Sequence, residues 1–106
     1  MSWQDAHRYN RALREIETEL NWTDGTELVW RPEYLEIFGS REQVLLALRS
    51  RLRTALYAQL DDLATTSSES VRMLAAAHPG VVRALALPEA VHWIDADADA
   101  LVAGAA

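Results

Sequence analysis

Near the start of the chain, apolar residues recur at alternating spacings of three and four: Ala6, Tyr9, Leu13, Ile16 and Leu20. At 3.6 residues per turn these positions form one helical stripe, leaving Arg8, Arg11, Glu15 and Glu19 in water. Ser2 ahead of Asp5 supplies an N-cap and an acid in the first turn, so the pattern predicts a helix from about residue 3 to residue 20. Arg11 and Glu15 stand at the spacing at which helical side chains pair.

From Asn21 to Gly39 the periodicity fails. Thr23-Asp24-Gly25 is a turn signal and Thr26-Glu27-Leu28-Val29-Trp30 leans toward strand, so a short hairpin or an extended connection is expected. Pro32 suits the first position of a helical turn carrying Tyr34, Leu35, Ile37 and Phe38, with Gly39 closing it in the left-handed conformation.

Ser40 and Gln43 form a capping-box pair and open the strongest element, a helix from about Arg41 to Leu63. Its main apolar stripe is Leu45, Leu48, Leu52, Ala55, Leu56 and Leu63, while Leu46, Tyr57 and Leu60 sit off one side and widen the arc. A helix apolar over so much of its circumference needs cover from two directions. The first helix supplies one flank; C-terminal elements or a second subunit supply the other.

Thr66 and Glu69 repeat the capping pattern before Val71, Leu74, Ala75 and His78. His78-Pro79-Gly80 reads as a stop, with His78 placed to meet free carbonyls at the helix end. A short turn from Val81 to Leu87 leads to Pro88, and residues 89 to about 103 read as a last helix with Val91, Ile94 and Leu101 inward. If the first and last helices are neighbours, Trp3 and Trp93 can meet. The fold expected is all-α: a small helical bundle in one domain, residues 1–106, with two long antiparallel helices and two or three short C-terminal helices. An aromatic-rich irregular or hairpin connection joins the long pair.

Composition narrows the chemistry. A chain of 106 residues that is 50% hydrophobic and 25% charged has the make-up of a globular domain, not of a disordered segment. The absence of cysteine removes disulfides, thiolate metal sites and thiol nucleophiles. The net charge is −6, and the first sixty residues hold eight Arg against nine Asp plus Glu, so nucleic acid is a disfavoured partner. Met1-Ser2-Trp3-Gln4-Asp5 has neither the basic start nor the apolar core of a secretory signal, and no later run reaches the roughly 18 apolar residues of a membrane span. These features predict a cytoplasmic chain without membrane association. Its basic residues are all Arg and its alanine content is high, a bias that resembles GC-rich bacterial genomes.

Three constellations are candidates for function. On the expected last helix His92, Asp95 and Asp99 fall at i, i+3 and i+7 and share a face that can hold a divalent metal; the plainer reading is a solvated acidic face. Read as a loop, Asp95, Asp97 and Asp99 imitate the opening of an EF-hand, but Ala100 and Ala106 stand where that loop needs glycine and glutamate. Arg49, Arg53 and Tyr57 follow one another at four-residue steps. Such a stripe can meet phosphates, although arginine stems covering apolar surface, with heads paired to Glu15 or Glu19, are the simpler expectation. Trp22, Trp30, Tyr34 and Phe38 crowd an irregular segment, as either a core lid or the anchors of a binding surface.

No phosphate loop, nucleophile elbow or zinc-protease motif is present in the sequence, so an enzyme is not expected and no cofactor is implied. The expectation is a noncatalytic interaction module that binds a protein partner or a second copy of itself, through Trp22, Trp30, Tyr34, Phe38, Leu46, Tyr57 and Leu60. A small-ligand or metal-binding protein using His92, Asp95 and Asp99 is the alternative, and a nucleic-acid-binding regulator the third.

Overall fold

The computed structural model describes residues 2–60 and 67–96, and the fold is mainly helical. The long helix α1 runs Trp3–Trp22 and begins with a complete capping box: Asp5 N donates to Ser2 Oγ, and Ser2 N donates to the Asp5 carboxylate. Ala12, Leu13, Ile16 and Leu20 are buried on its inner stripe. The turn after it holds two left-handed residues in succession, Asp24 at φ 55° and Gly25 at φ 74°. Strand β1 follows at Glu27–Trp30, then α2 at Pro32–Phe38, stopped by Gly39 at φ 90°.

Helix α3 spans Arg41–Leu60, with Gln43 N donating to Ser40 Oγ. Leu63, placed on its stripe by the sequence, lies outside the described residues, as does Thr66. Helix α4 is Ser67–Ala77 and α5 is Pro79–Ala86; a 3-10 turn at Pro88–Ala90 then leads into β2, His92–Asp95. The core gathers Leu13, Ile16 and Leu20 of α1 with Leu28, Tyr34, Val44, Leu48, Val81, Ala84 and Val91. Truncating any one of its buried leucines removes on the order of 2–5 kcal/mol.

Two expectations are corrected. Residues 92–95 are not part of a helix: they are a strand that pairs in parallel with β1, in the register Glu27↔His92, Leu28↔Trp93, Val29↔Ile94 and Trp30↔Asp95, and the expected helix beyond residue 96 lies outside the described residues. β1 accordingly belongs to no hairpin; its partner arrives after the four intervening α-helices, α2 to α5. Valine, isoleucine and tryptophan suit a pleated, half-buried surface, and pairing puts Trp93 against Trp30 at 5.8 Å between ring centroids, edge to face. Trp93 therefore meets Trp30, while Trp3 packs edge-on against His7 on its own helix. On β1, Val29 N donates to Glu19 Oε1 of α1 at 3.0 Å.

The second correction concerns residues 78–87. His78-Pro79-Gly80 ends α4 but also starts α5, with Pro79 in the first turn and Gly80 inside the helix. His78 makes no side-chain cap bond to α5; Asn21 of α1 takes that role, its Oδ1 accepting from Gly80 N at 3.0 Å and Val81 N at 3.1 Å. The junction is backbone against backbone, since a Cβ on Gly80 would lie 1.8 Å from Leu20 O and one on Gly25 would lie 2.5 Å from Gly80 O. Arg83 of α5 donates to Asp24 at 3.0 Å and ties the same turn from outside.

Candidate functional site

The aromatic segment divides. Trp30, Tyr34 and Phe38 pack on the core: Tyr34 is buried, its ring 6.1 Å from Trp30 and 6.2 Å from Phe38, and Phe38 meets Tyr9 at 5.1 Å. Arg41 lies over both indoles, with its guanidinium carbon 5.7 Å from the Trp30 centroid and 5.4 Å from that of Trp93. Burial, reinforced by the nearby Glu15 carboxylate, raises the Tyr34 hydroxyl above the ordinary tyrosine range; Arg31 opposes the shift. Trp22 is separate from this cluster and 89% exposed at the end of α1.

The predicted metal face is not assembled as the sequence suggested. On strand β2, His92 and Asp95 are three residues apart and point to opposite faces, and Asp99 lies outside the described residues. Among the described residues, no group of three or more His, Asp or Glu side chains is arranged to hold a metal ion, and no helix is long and apolar enough to cross a membrane.

A different site emerges on α3. Its inner face carries the buried Val44 and Leu48 into the core, but Leu46 is 54% and Tyr57 59% exposed. Eleven residues make just over three whole turns, so Leu46 and Tyr57 share an outer face about 16 Å apart along the axis. Arg49 and Arg53 lie between them on that face. Leu60 is the last residue of α3, and its side chain is not among those described.

Beside this stripe, α3, α4 and α5 enclose an apolar groove of about 320 Å³. The half-buried Leu52, Leu56 and Val82 and the buried Leu74 make its floor; Arg49, Arg53, Tyr57 and Val71 are exposed at its rim. Leu46, Arg49, Ser50 and Arg53 line a shallower depression that continues it along α3.

The arginines do not pair as expected. Arg51, not Arg49 or Arg53, reaches α1, with its Nε 2.6 Å from Glu17 Oε1. That pair borders a small cavity of about 90 Å³ with Leu48, Leu52, Ala55, His78 and Val81. Glu19 is occupied by Val29 N, and Glu15 lies 3.5 Å from the Tyr34 hydroxyl. Among the described residues, Arg49 and Arg53 have no ion-pair partner.

The sequence therefore pointed to the outer stripe of α3 but missed the groove floor, because Leu74 and Val82 join it only through packing of α4 and α5. One sequence signal was available: from Gln43 to Leu60 the helix holds Arg49, Arg51 and Arg53 and no acid, in a chain of net charge −6. Comparisons with protein-family models, curated proteins and solved structures find no match for this chain.

Proposed function

We propose that this chain is a noncatalytic protein-binding module whose groove between α3, α4 and α5 receives a segment of a partner protein. The observation that carries the reading is the exposed Tyr57 and Val71 at the rim of a floor made by Leu52, Leu56, Leu74 and Val82, with the exposed Leu46 in the depression that continues the groove along α3. Aromatic and arginine side chains at the edge of a desolvated pocket are the usual anchors of an interface. A partner is favoured over a second copy of the chain. A two-fold contact centred on this stripe would set Arg49 and Arg53 of one copy against the same residues of the other, and like charges across an interface oppose association.

A photo-crosslinking residue at position 57 or 71, with position 4 on α1 as an exposed control, tests this in extract from the source cells. The expected result is an adduct of one defined mass from positions 57 and 71, absent from position 4 and competed away by unlabelled protein. Adducts at twice the chain mass, equal labelling at position 4, or no protein adduct would overturn the reading.

A further inference from the structure

We infer that the segment taken by this groove is an acidic amphipathic helix; the inference rests on the protein-binding role proposed above. Charge distribution is the first support. The part of α3 from Gln43 onward, with α4 and α5, carries Arg49, Arg51, Arg53, Arg72 and Arg83 against a single acid, Glu69. Of these arginines, Arg51 is neutralised by Glu17 and Arg83 by Asp24, whereas Arg49 and Arg53 stand exposed at the groove without an ion-pair partner among the described residues. Among the described residues the face is thus locally basic on an acidic protein, and a partner within a Debye length of about 8–10 Å meets the local charge more strongly than the net charge.

Spacing is the second. Arg49 and Arg53 are four residues apart on a helix, about 6 Å along its axis, which matches two carboxylates placed at i and i+4 on a facing helix. Between and beside them the surface is apolar, so the complementary segment must also present aliphatic or aromatic side chains to Leu52, Leu56 and Leu74. An amphipathic helix with apolar residues at i, i+3, i+4 and i+7, edged by Glu or Asp, satisfies both demands. A nucleic-acid backbone satisfies only the first, since the apolar floor offers nothing to a phosphodiester and the chain as a whole repels a polyanion.

The test is a fluorescence-anisotropy titration with a labelled synthetic helix that has a leucine face edged by glutamates, beside a twin in which every glutamate is lysine. The glutamate helix is expected to bind saturably at one per chain, the lysine twin at least about tenfold more weakly, and the difference to shrink as salt rises. Arg49→Glu with Arg53→Glu reverses the preference. Because both side chains are exposed the double variant should keep its far-ultraviolet dichroism, and Arg49→Gln with Arg53→Gln, which abolishes the preference without reversing it, serves if the reversal unfolds the chain. Equal binding of the two helices, binding of neither, or an equally tight Arg49- and Arg53-dependent complex with duplex DNA would overturn the inference. If neither helix binds while positions 57 and 71 still crosslink to one protein, the acidic-helix inference fails and the protein-binding role stands; if the crosslinks are also absent, both fail.

Discussion

Replacing Gly80 by alanine sets two physical effects against each other. Gly80 is helical with an ordinary backbone angle, so propensity alone predicts that alanine stabilises α5 by up to about 1 kcal/mol. The junction predicts the reverse. The new Cβ would lie 1.8 Å from Leu20 O, 2.4 Å from Leu20 C and 2.6 Å from Asn21 Cα, all backbone atoms of α1 that no rotamer change can move aside. Restoring an ordinary C···O contact of about 3.3 Å separates α1 from α5 by roughly 1.5 Å. That separation stretches the bonds from Gly80 N and Val81 N to Asn21 Oδ1, now 3.0 and 3.1 Å, beyond hydrogen-bonding reach. Overpacking and the loss of two partly buried bonds together outweigh the propensity gain, for a net loss of about 2–4 kcal/mol. For a chain of this size that lowers the melting temperature by roughly 10–25 °C. Urea unfolding followed by tryptophan fluorescence and circular dichroism reads the effect. Gly39→Ala is the control: nothing lies within 4 Å of its Cβ, but φ is 90°, so it should lose only about 1 kcal/mol from backbone strain. A Gly80→Ala protein as stable as the parent, or more stable than Gly39→Ala, would refute the tight junction.

Asn21→Ala should destabilise by about 1–2 kcal/mol in the same urea assay, because two amides at the start of α5 lose their acceptor. Ser70→Ala should stabilise by about 1 kcal/mol, since the Ser70 hydroxyl is fully buried with no hydrogen-bond partner among the described residues and alanine is the better helix former; a loss of stability would refute this. Tyr34 holds its proton more tightly when folded than when unfolded, so its contribution is complete below about pH 10 and is lost as pH rises through the higher folded value. Urea midpoints measured from pH 9 upward should therefore fall more steeply for the parent than for Tyr34→Phe. Trp93→Ala should destabilise by about 3 kcal/mol and disorder the β1–β2 pairing, seen as faster amide exchange at Leu28 and Val29, whereas Trp22→Ala at its exposed position should change stability by less than about 0.5 kcal/mol.

What was legible in the sequence was local. Ser2 and Asp5, the three-and-four spacing to Leu20, Pro32 with Gly39, and Ser40 with Gln43 each act within a turn or two of themselves, and α1, α2 and the start of α3 stand where those signals put them. Residues 92–95 read as helix rather than strand because Val91 and Ile94 fit a helical stripe as well as Val91 and Trp93 fit a strand. The deciding partner is β1, far upstream, and local spacing contains no record of it. Gly80 was misread for the same reason. After a proline it looks like punctuation, yet its missing side chain serves contact with Leu20 and Asn21, and only Ala84, small and four residues on, hinted at a face built for close approach.

The candidate site follows the same division with one difference. The width of the apolar arc on α3 already demanded cover from two directions, and α1 and α5 satisfy it around Val44 and Leu48. On the other side α4 brings Leu74 but leaves Leu46 and Tyr57 in water, so the second cover is incomplete among the described residues. The net charge of −6 is a sum over the whole chain, and the acids of α1 and α2 do not line this groove. Screening confines what a docking segment experiences to the groups within a Debye length, and among the described residues the exposed charges lining the groove are Arg49 and Arg53. An acidic protein can thus present a basic, apolar binding face, provided that the acids near it are absent, as they are from Gln43 to Leu60, or already engaged, as Glu17, Glu19 and Asp24 are.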